Sequence, residues 1–384
     1  MIDDHVHPFP LEHVPLAPAE LTLDVHDDEA GPSRRRELAG GRLFVELLTV
    51  RLARLLGCRP DEVLEVRDAL AGADWVGYVR RLLDDAEVEG MVMDGAWHPE
   101  EARPVGDYAA LAGRPVWEMV RVEPVVDGLL AAGASAAEVV RAVEAAMEAG
   151  AERGCVAFKT VIAYRTGLAV DPTVTLDRAE SSLARGAREG DPGGPGPVRP
   201  GPVRPGPVRR RGKALRDLVF LTMLARAADL GRPVQIHTGM GDSDIRLAEA
   251  HPLLLEDALC TPAGRAARVV LIHGSFPWHE EAAYLASTRP NVWVEASLLN
   301  LFAPLTTAER LARIVDLAPC RRILLGSDGH GAPETHWFGC RSLLEAWPEV
   351  ARRLAGAGAR SSFVASAHQG LFGANARELY RLPG

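Results

Sequence analysis

The chain is 384 residues long, 47% hydrophobic, and carries a formal net charge of −9, with a pI near 5.8. That acidity argues against nucleic acid as a main partner, since phosphate binding needs a basic face. The five cysteines, Cys58, Cys155, Cys260, Cys320 and Cys340, are odd in number and form no CxxC pair, which argues against a disulfide framework or a zinc knuckle.

A reduced compartment fits this cysteine usage. The N-terminus lacks a basic segment followed by an apolar one, and no apolar run reaches about 18 residues. The expectation is a soluble, cytoplasmic protein with no membrane partner.

The first strand is predicted at once, at 2–6, in IDDHVHPF. Strand side chains repeat every two residues, so His5 and His7 share a face. About 80 residues then pass before the next strand, far more than one βα crossover needs. Within them, GRLFVELLTVRLARLLG and DWVGYVRRLLDDA place apolar residues at helical spacing, and Gly57 suits a helix C-terminus. This stretch, about 34–86, is read as a helical insertion above the site.

Strands and helices alternate from there. Strands are predicted at 89–94 (EGMVMD), 116–122 (VWEMVRV), 155–161, 234–237, 269–273, 292–296 and 323–327. Helices are predicted at 134–149, 214–230 and 280–287, with a long loop between the fourth strand and the helix at 214. The segment SLLEAWPEVARRLA and the later C-terminal residues are expected to be helical and to pack outside. Such alternation implies right-handed parallel crossovers. Eight strands suit a closed barrel, so the fold class is α/β, a (β/α)8 TIM-like barrel with a helical insertion after strand 1, forming one domain over 1–384.

One segment is foreign in composition. PGPVR occurs three times within 194–212. Proline at that density blocks helix and central strand, so a disordered Pro/Gly/Arg loop at about 190–212 is expected. It is read as repeat expansion in a tolerated surface loop, with binding of an acidic partner or an SH3-like domain as the alternative.

Six candidate metal ligands recur at strand ends: His5, His7, Lys159, His237, His273 and Asp328. The carboxyl face of a (β/α)8 barrel is where such side chains converge. Neutral imidazole is the commonest protein ligand for zinc-like metals, and Asp adds a hard anionic one. Lys159 is a salt-bridged or substrate-binding ammonium or, after reaction with carbon dioxide, an anionic carbamate able to bridge two metals. Further candidates for substrate contact are Tyr164 and Arg165 after strand 4, Asp242 and Asp244 in GMGDSD, Glu295 on strand 7 and His330 in SDGHG. Arg165 is a candidate carboxylate clamp. His13, His26, His98, His251, His279, His336 and His368 lie outside the strand ends and are not expected to bind metal.

With the HxH of His5 and His7, Lys159, His237, His273 and Asp328 in this order, the chain resembles the amidohydrolase superfamily. FKTVIAYRTGL, QIHTGMGDSD, LIHGSFPWHEEAAYLA and GSDGHGAPE resemble its amidohydrolase-2 branch, in particular the FluG-type amidohydrolase domain. The resemblance spans the chain except the insertion and the PGPVR loop.

The resemblance implies a metal-dependent hydrolase of amide-type C–N bonds, γ-glutamyl amides among them, acting on a small-molecule substrate. It implies a divalent metal, zinc first, with Mn, Fe or Co as alternatives. Two ions bridged by carboxylated Lys159 are favoured over one. In the one-ion form His273 polarises or catalyses and Lys159 contacts substrate. Asp328 is expected to move the proton from attacking water to the leaving amine, with His273 also catalytic. Ester or thioester hydrolysis and nonoxidative decarboxylation are the alternative activities on this scaffold. A silent metal-binding scaffold recruiting partners through PGPVR is the non-enzymatic alternative. A homodimer is the default oligomeric expectation.

Overall fold

Eight short strands, all parallel, hydrogen-bond to one another in the order of the sequence. They are β1 (Ile2–Val6), β2 (Gly90–Asp94), β3 (Val116–Arg121), β4 (Ala157–Thr160), β5 (Val234–His237), β6 (Val269–Ile272), β7 (Val292–Ala296) and β8 (Ile323–Leu325). The computed structural model describes residues 1–17, 37, 40–96, 103–188 and 212–383. The ring closes where the segment after β8 meets β1: Asp328 N donates to His5 O at 2.9 Å and His7 N to Gly329 O at 2.8 Å. Eight parallel strands in cyclic order, with helices between them, make a TIM-like (β/α)8 barrel.

The barrel interior is filled by Ile2, Val92, Met119, Ala157, Val270, Ile272 and Leu324. The floor is closed by the C-terminal helix Asn375–Tyr380, which adds Ala376, Leu379 and Tyr380 to the same cluster. Tyr380 Oη lies 3.1 Å from Asp4 Oδ2 and 2.8 Å from Gln235 Nε2. The expectation that the whole C-terminal part packs outside therefore holds for the helix Pro333–Gly356 but not for the last residues. Burial of their apolar side chains decides the matter, since an open barrel end would leave inward-facing residues wet.

The insertion contains the helices Leu43–Leu56, Val63–Ala73 and Trp75–Asp85. Gly57 ends the first with φ 76°, a left-handed turn that glycine adopts without steric cost. The insertion is clamped to the helix Pro333–Gly356 by a buried polar group. Glu334 Oε1 accepts from Arg67 Nε at 2.6 Å and from Tyr78 Oη at 2.8 Å, and Arg67 Nη1 also donates to Val14 O at 2.6 Å.

The helix Ala136–Glu152 starts at a capping box, with Glu138 N on Ser135 Oγ and Ser135 N on Glu138 Oε2. The interval read as a long loop after strand 4 holds two helices, Ile162–Arg165 and Leu176–Arg188. The polar face of the second hid its period among charged residues. The PGPVR segment lies outside the described residues except for Gly212. Among the described residues, no helix is long and apolar enough to cross a membrane.

Candidate metal centre

Plain strand alternation aims most of the site. Asp94, Arg121, Lys159 and His237 each stand two residues beyond an inward-facing residue of β2, β3, β4 or β5, and so point into the mouth. Two strands need more. β1 shifts register against β2 between Asp3 and Val6, a β-bulge. Before it, Asp4 contacts Gln235 across the barrel, while Asp3 reaches outward to Ser327 and Cys340. After it, His5 and His7 take the inward places. Bulges re-aim side chains in this way beside active sites. On β6, Val270 and Ile272 line the interior, so the next residue would turn outward. His273 instead adopts φ 65°, and Asp328 adopts φ 56°, left-handed conformations that are costly for non-glycine residues and that cluster at functional sites.

The six sequence-derived ligands come together. One ligand atom from each of His5, His7 and Asp328 lies within 4.8 Å of the others. Asp328 Oδ1 is 3.4 Å from Nε2 of both His5 and His7. Lys159 Nζ is 3.1 Å from His5 Nε2. Asp328 Oδ2 is 3.7 Å from His273 Nδ1, and the rings of His273 and His237 are 4.5 Å apart.

The donor set fits a divalent metal. Burial is the main reason that His5, His237 and His273 are held well below the usual imidazole range, with nearby Lys159 adding to it. They are therefore neutral and carry lone pairs. Hydrogen bonds select which nitrogen is available. His7 Nδ1 donates to Asp94 O at 3.1 Å, which leaves Nε2 facing Asp328. His273 Nδ1 donates to Ser297 Oγ at 2.8 Å, and that hydroxyl donates to Glu295 Oε2 at 2.8 Å. His237 Nε2 donates to Met240 O at 3.1 Å. Carboxylate and carbonyl supports of this kind orient metal-binding imidazoles. Asp328 Oδ1 is buried with no hydrogen-bond donor among the described residues. Burial also pushes the Lys159 ammonium down to about 8, which makes the neutral amine accessible near physiological pH.

The remaining candidates take varied places. Tyr164 packs against His237, ring to ring at 4.6 Å, and its Oη accepts from Asp242 N at 3.1 Å. Gly241 permits that approach, since a Cβ there would lie 1.8 Å from Tyr164 Oη and 3.0 Å from His237 Nε2. Asp242 and Asp244 belong to this turn and are half-buried. His330 Nδ1 bonds to Asp328 O at 2.8 Å beside the site.

Glu295 faces inward as its parity predicts, but it is fully buried and bonds the His273 backbone nitrogen at 3.1 Å. It holds His273 rather than facing the mouth. Arg165 pairs with Asp127 at 3.1 Å, a carboxylate it shares with Arg216. Its guanidinium is thus drawn to the helix Glu123–Ala131. The structure brings in two residues that the sequence reading passed over, Asp94 and Arg121, which pair at 2.5 Å. Asp94 carried the same signal as Lys159, a charged residue closing an apolar strand, whereas Arg121 ends a strand that Glu118 interrupts.

A (β/α)8 barrel with histidines, a lysine and an aspartate converging on its carboxyl face is the architecture of a metal-dependent hydrolase. The chain belongs to the amidohydrolase family, whose model matches residues 2–382. It is 30% identical over 314 residues to protein fluG of Emericella nidulans, an alignment covering 76% of this chain and 35% of that protein. The chain thus spans about a third of that relative's length. Its fold is similar to that of a protein from Lactobacillus casei described as a metal-dependent hydrolase, with TM-score 0.82, 23% identity, and coverage of 99% of this chain and 94% of that one. It is also similar to uronate isomerase from Thermotoga maritima, with TM-score 0.65, 14% identity, and coverage of 99% and 94%.

Proposed function

We propose that the protein hydrolyses an amide-type C–N bond of a small molecule, γ-glutamyl amides being one such class. The observation that carries this reading is the convergence of His5, His7 and Asp328 at ligand spacing on the carboxyl face of the barrel. His5, His7 and Asp328 would hold one divalent ion, zinc first. His237 and His273 would hold a second, with Lys159 as a carbamate between the two. A bound ion supplies Lewis-acid activation of water and of the scissile carbonyl.

The chain's own residues supply the rest. Asp328 accepts the proton of the attacking water and passes it to the leaving nitrogen. Its left-handed backbone and its bond to His5 O fix the carboxylate for both transfers. His273, with its tautomer set by Ser297 and Glu295, presents Nε2 to the reacting carbonyl or to the ion. The insertion helices pack on the helix Pro333–Gly356, which follows the segment carrying Asp328 and His330.

The test is a survey of amides in water enriched in ¹⁸O. Release of amine or ammonia with one ¹⁸O in the new carboxylate supports the reading. Carbon dioxide release without ¹⁸O incorporation would replace it with decarboxylation, and isomer formation without cleavage would replace it with isomerase chemistry.

A further inference from the structure

Arg121 ends β3 in register with Lys159 on β4. Its Nε and Nη2 both bond one oxygen, Asp94 Oδ2, at 2.8 and 2.5 Å. A guanidinium carries five N–H donors, so this one-sided pairing leaves Nη1 and the outer hydrogen of Nη2 with no hydrogen-bond partner among the described residues, although the nearby Glu123 carboxylate also acts on the Arg121 charge. The other face of the pair is rigid: Asp94 is fully buried and its Oδ1 accepts from Ala96 N at 3.2 Å. The Arg121 side chain keeps 12% of its surface exposed, whereas Asp94 keeps none. Arg121 stands close enough for its charge to act on His5, His237, His273 and Tyr164. Arg165, the other arginine near this side of the mouth, is already engaged by Asp127.

We propose that Arg121 is a specificity-determining residue that anchors a substrate carboxylate remote from the scissile bond, so that the preferred substrates are monoamides of dicarboxylic acids. The scissile bond rests on the hydrolase reading above; the anion anchor does not. Asp94 pins the guanidinium from behind, and a carboxylate takes the free edge, a geometry that lysine cannot reproduce. A neutral analogue would leave those donors unpaired in a largely dry site, which is where discrimination is strongest.

The experiment is calorimetric binding of the product-type diacids malonate to adipate, and of glutamate, to the metal-replete protein. Each is compared with the straight-chain monocarboxylate of equal length, which controls for carboxylate bound to metal alone. At least one diacid is expected to bind about tenfold or more tightly than its monoacid in the wild type. That preference is expected to vanish in Arg121→Gln and to fall by about threefold or more in Arg121→Lys, which keeps the charge but loses the fork. Metal content and far-ultraviolet circular dichroism verify that each variant is folded. If Arg121→Gln fails to fold, Arg121→Lys decides. Absence of any diacid preference in the wild type, or its full survival in the folded variants, overturns the proposal. A diacid preference without turnover of any amide would sink the hydrolase reading and leave the anchor standing.

Discussion

Lys159 Nζ lies 3.1 Å from Nε2 of His5, and both side chains are buried. An ammonium in that place loses hydration and faces a neutral imidazole. A carbamate there would instead face the metal ligands as an anion. Elemental analysis of wild type and Lys159→Ala separates the two states. Two ions per chain are expected in the wild type, falling to one or none in the variant. One ion in both proteins would return Lys159 to substrate binding.

In the proposed reaction Asp328 moves the protons, and its backbone bond to His5 O holds the residue independently of its carboxylate. Asp328→Asn is therefore expected to fold normally and to lose turnover by about 10²–10⁴-fold. Turnover measured against metal content checks this. Full activity per bound metal would remove Asp328 from the proton-transfer role.

The clamp between the insertion and the barrel has a stability consequence. Arg67 and Glu334 are almost wholly buried, and truncating Glu334 leaves the Arg67 charge only the half-buried Asp68, at 2.7 Å, as an ionic partner. Glu334→Ala is expected to cost about 3–5 kcal/mol in urea unfolding. The double variant Arg67→Met, Glu334→Leu should cost clearly less than the sum of the two single changes, because no buried charge remains. Additive losses would mean that the pair acts separately.

Thiol reactivity offers a check on the packing. Cys260 is exposed, Cys58 and Cys320 are half-buried, and Cys155 and Cys340 are buried. Burial pushes the Cys155 thiol up to about 11 and raises Cys340 well above the usual thiol range. Near neutral pH both remain protonated, and the thiolate is the reactive form. Titration with a disulfide reagent should give one fast thiol and two slow ones, with the last two appearing only on unfolding. Reaction of a fourth or fifth equivalent without unfolding would contradict the packing around β4 and the helix Pro333–Gly356.

Much of the site was legible because parallel strands buried on both faces are short apolar runs, and a polar residue ending such a run stands out. His237 after Ile236 and Lys159 after Phe158 are read that way, and alternation then aims them correctly. The two positions where alternation fails were not legible. The bulge that separates the outward Asp3 from the inward His5 depends on pairing with β2, and the left-handed turn at His273 depends on Glu295 and Ser297 holding it. Arg165 looked available because its partner, Asp127, is 38 residues away in sequence. Arg121 was hidden inside VWEMVRV, where Glu118 and Trp117 blur the end of the strand.

The floor of the barrel gives assembly a direction in time. Tyr380 and Asp4 are 376 positions apart, yet they share a buried hydrogen bond one residue from His5. Contacts between such distant segments form late, after the loop-closure cost has been met. Until residues 375–380 dock, the first strand faces an open, wet barrel end. His5 and His7 would thus take their final bearings only when residues 375–380 dock, so a metal held through them would be captured at the closing step of folding.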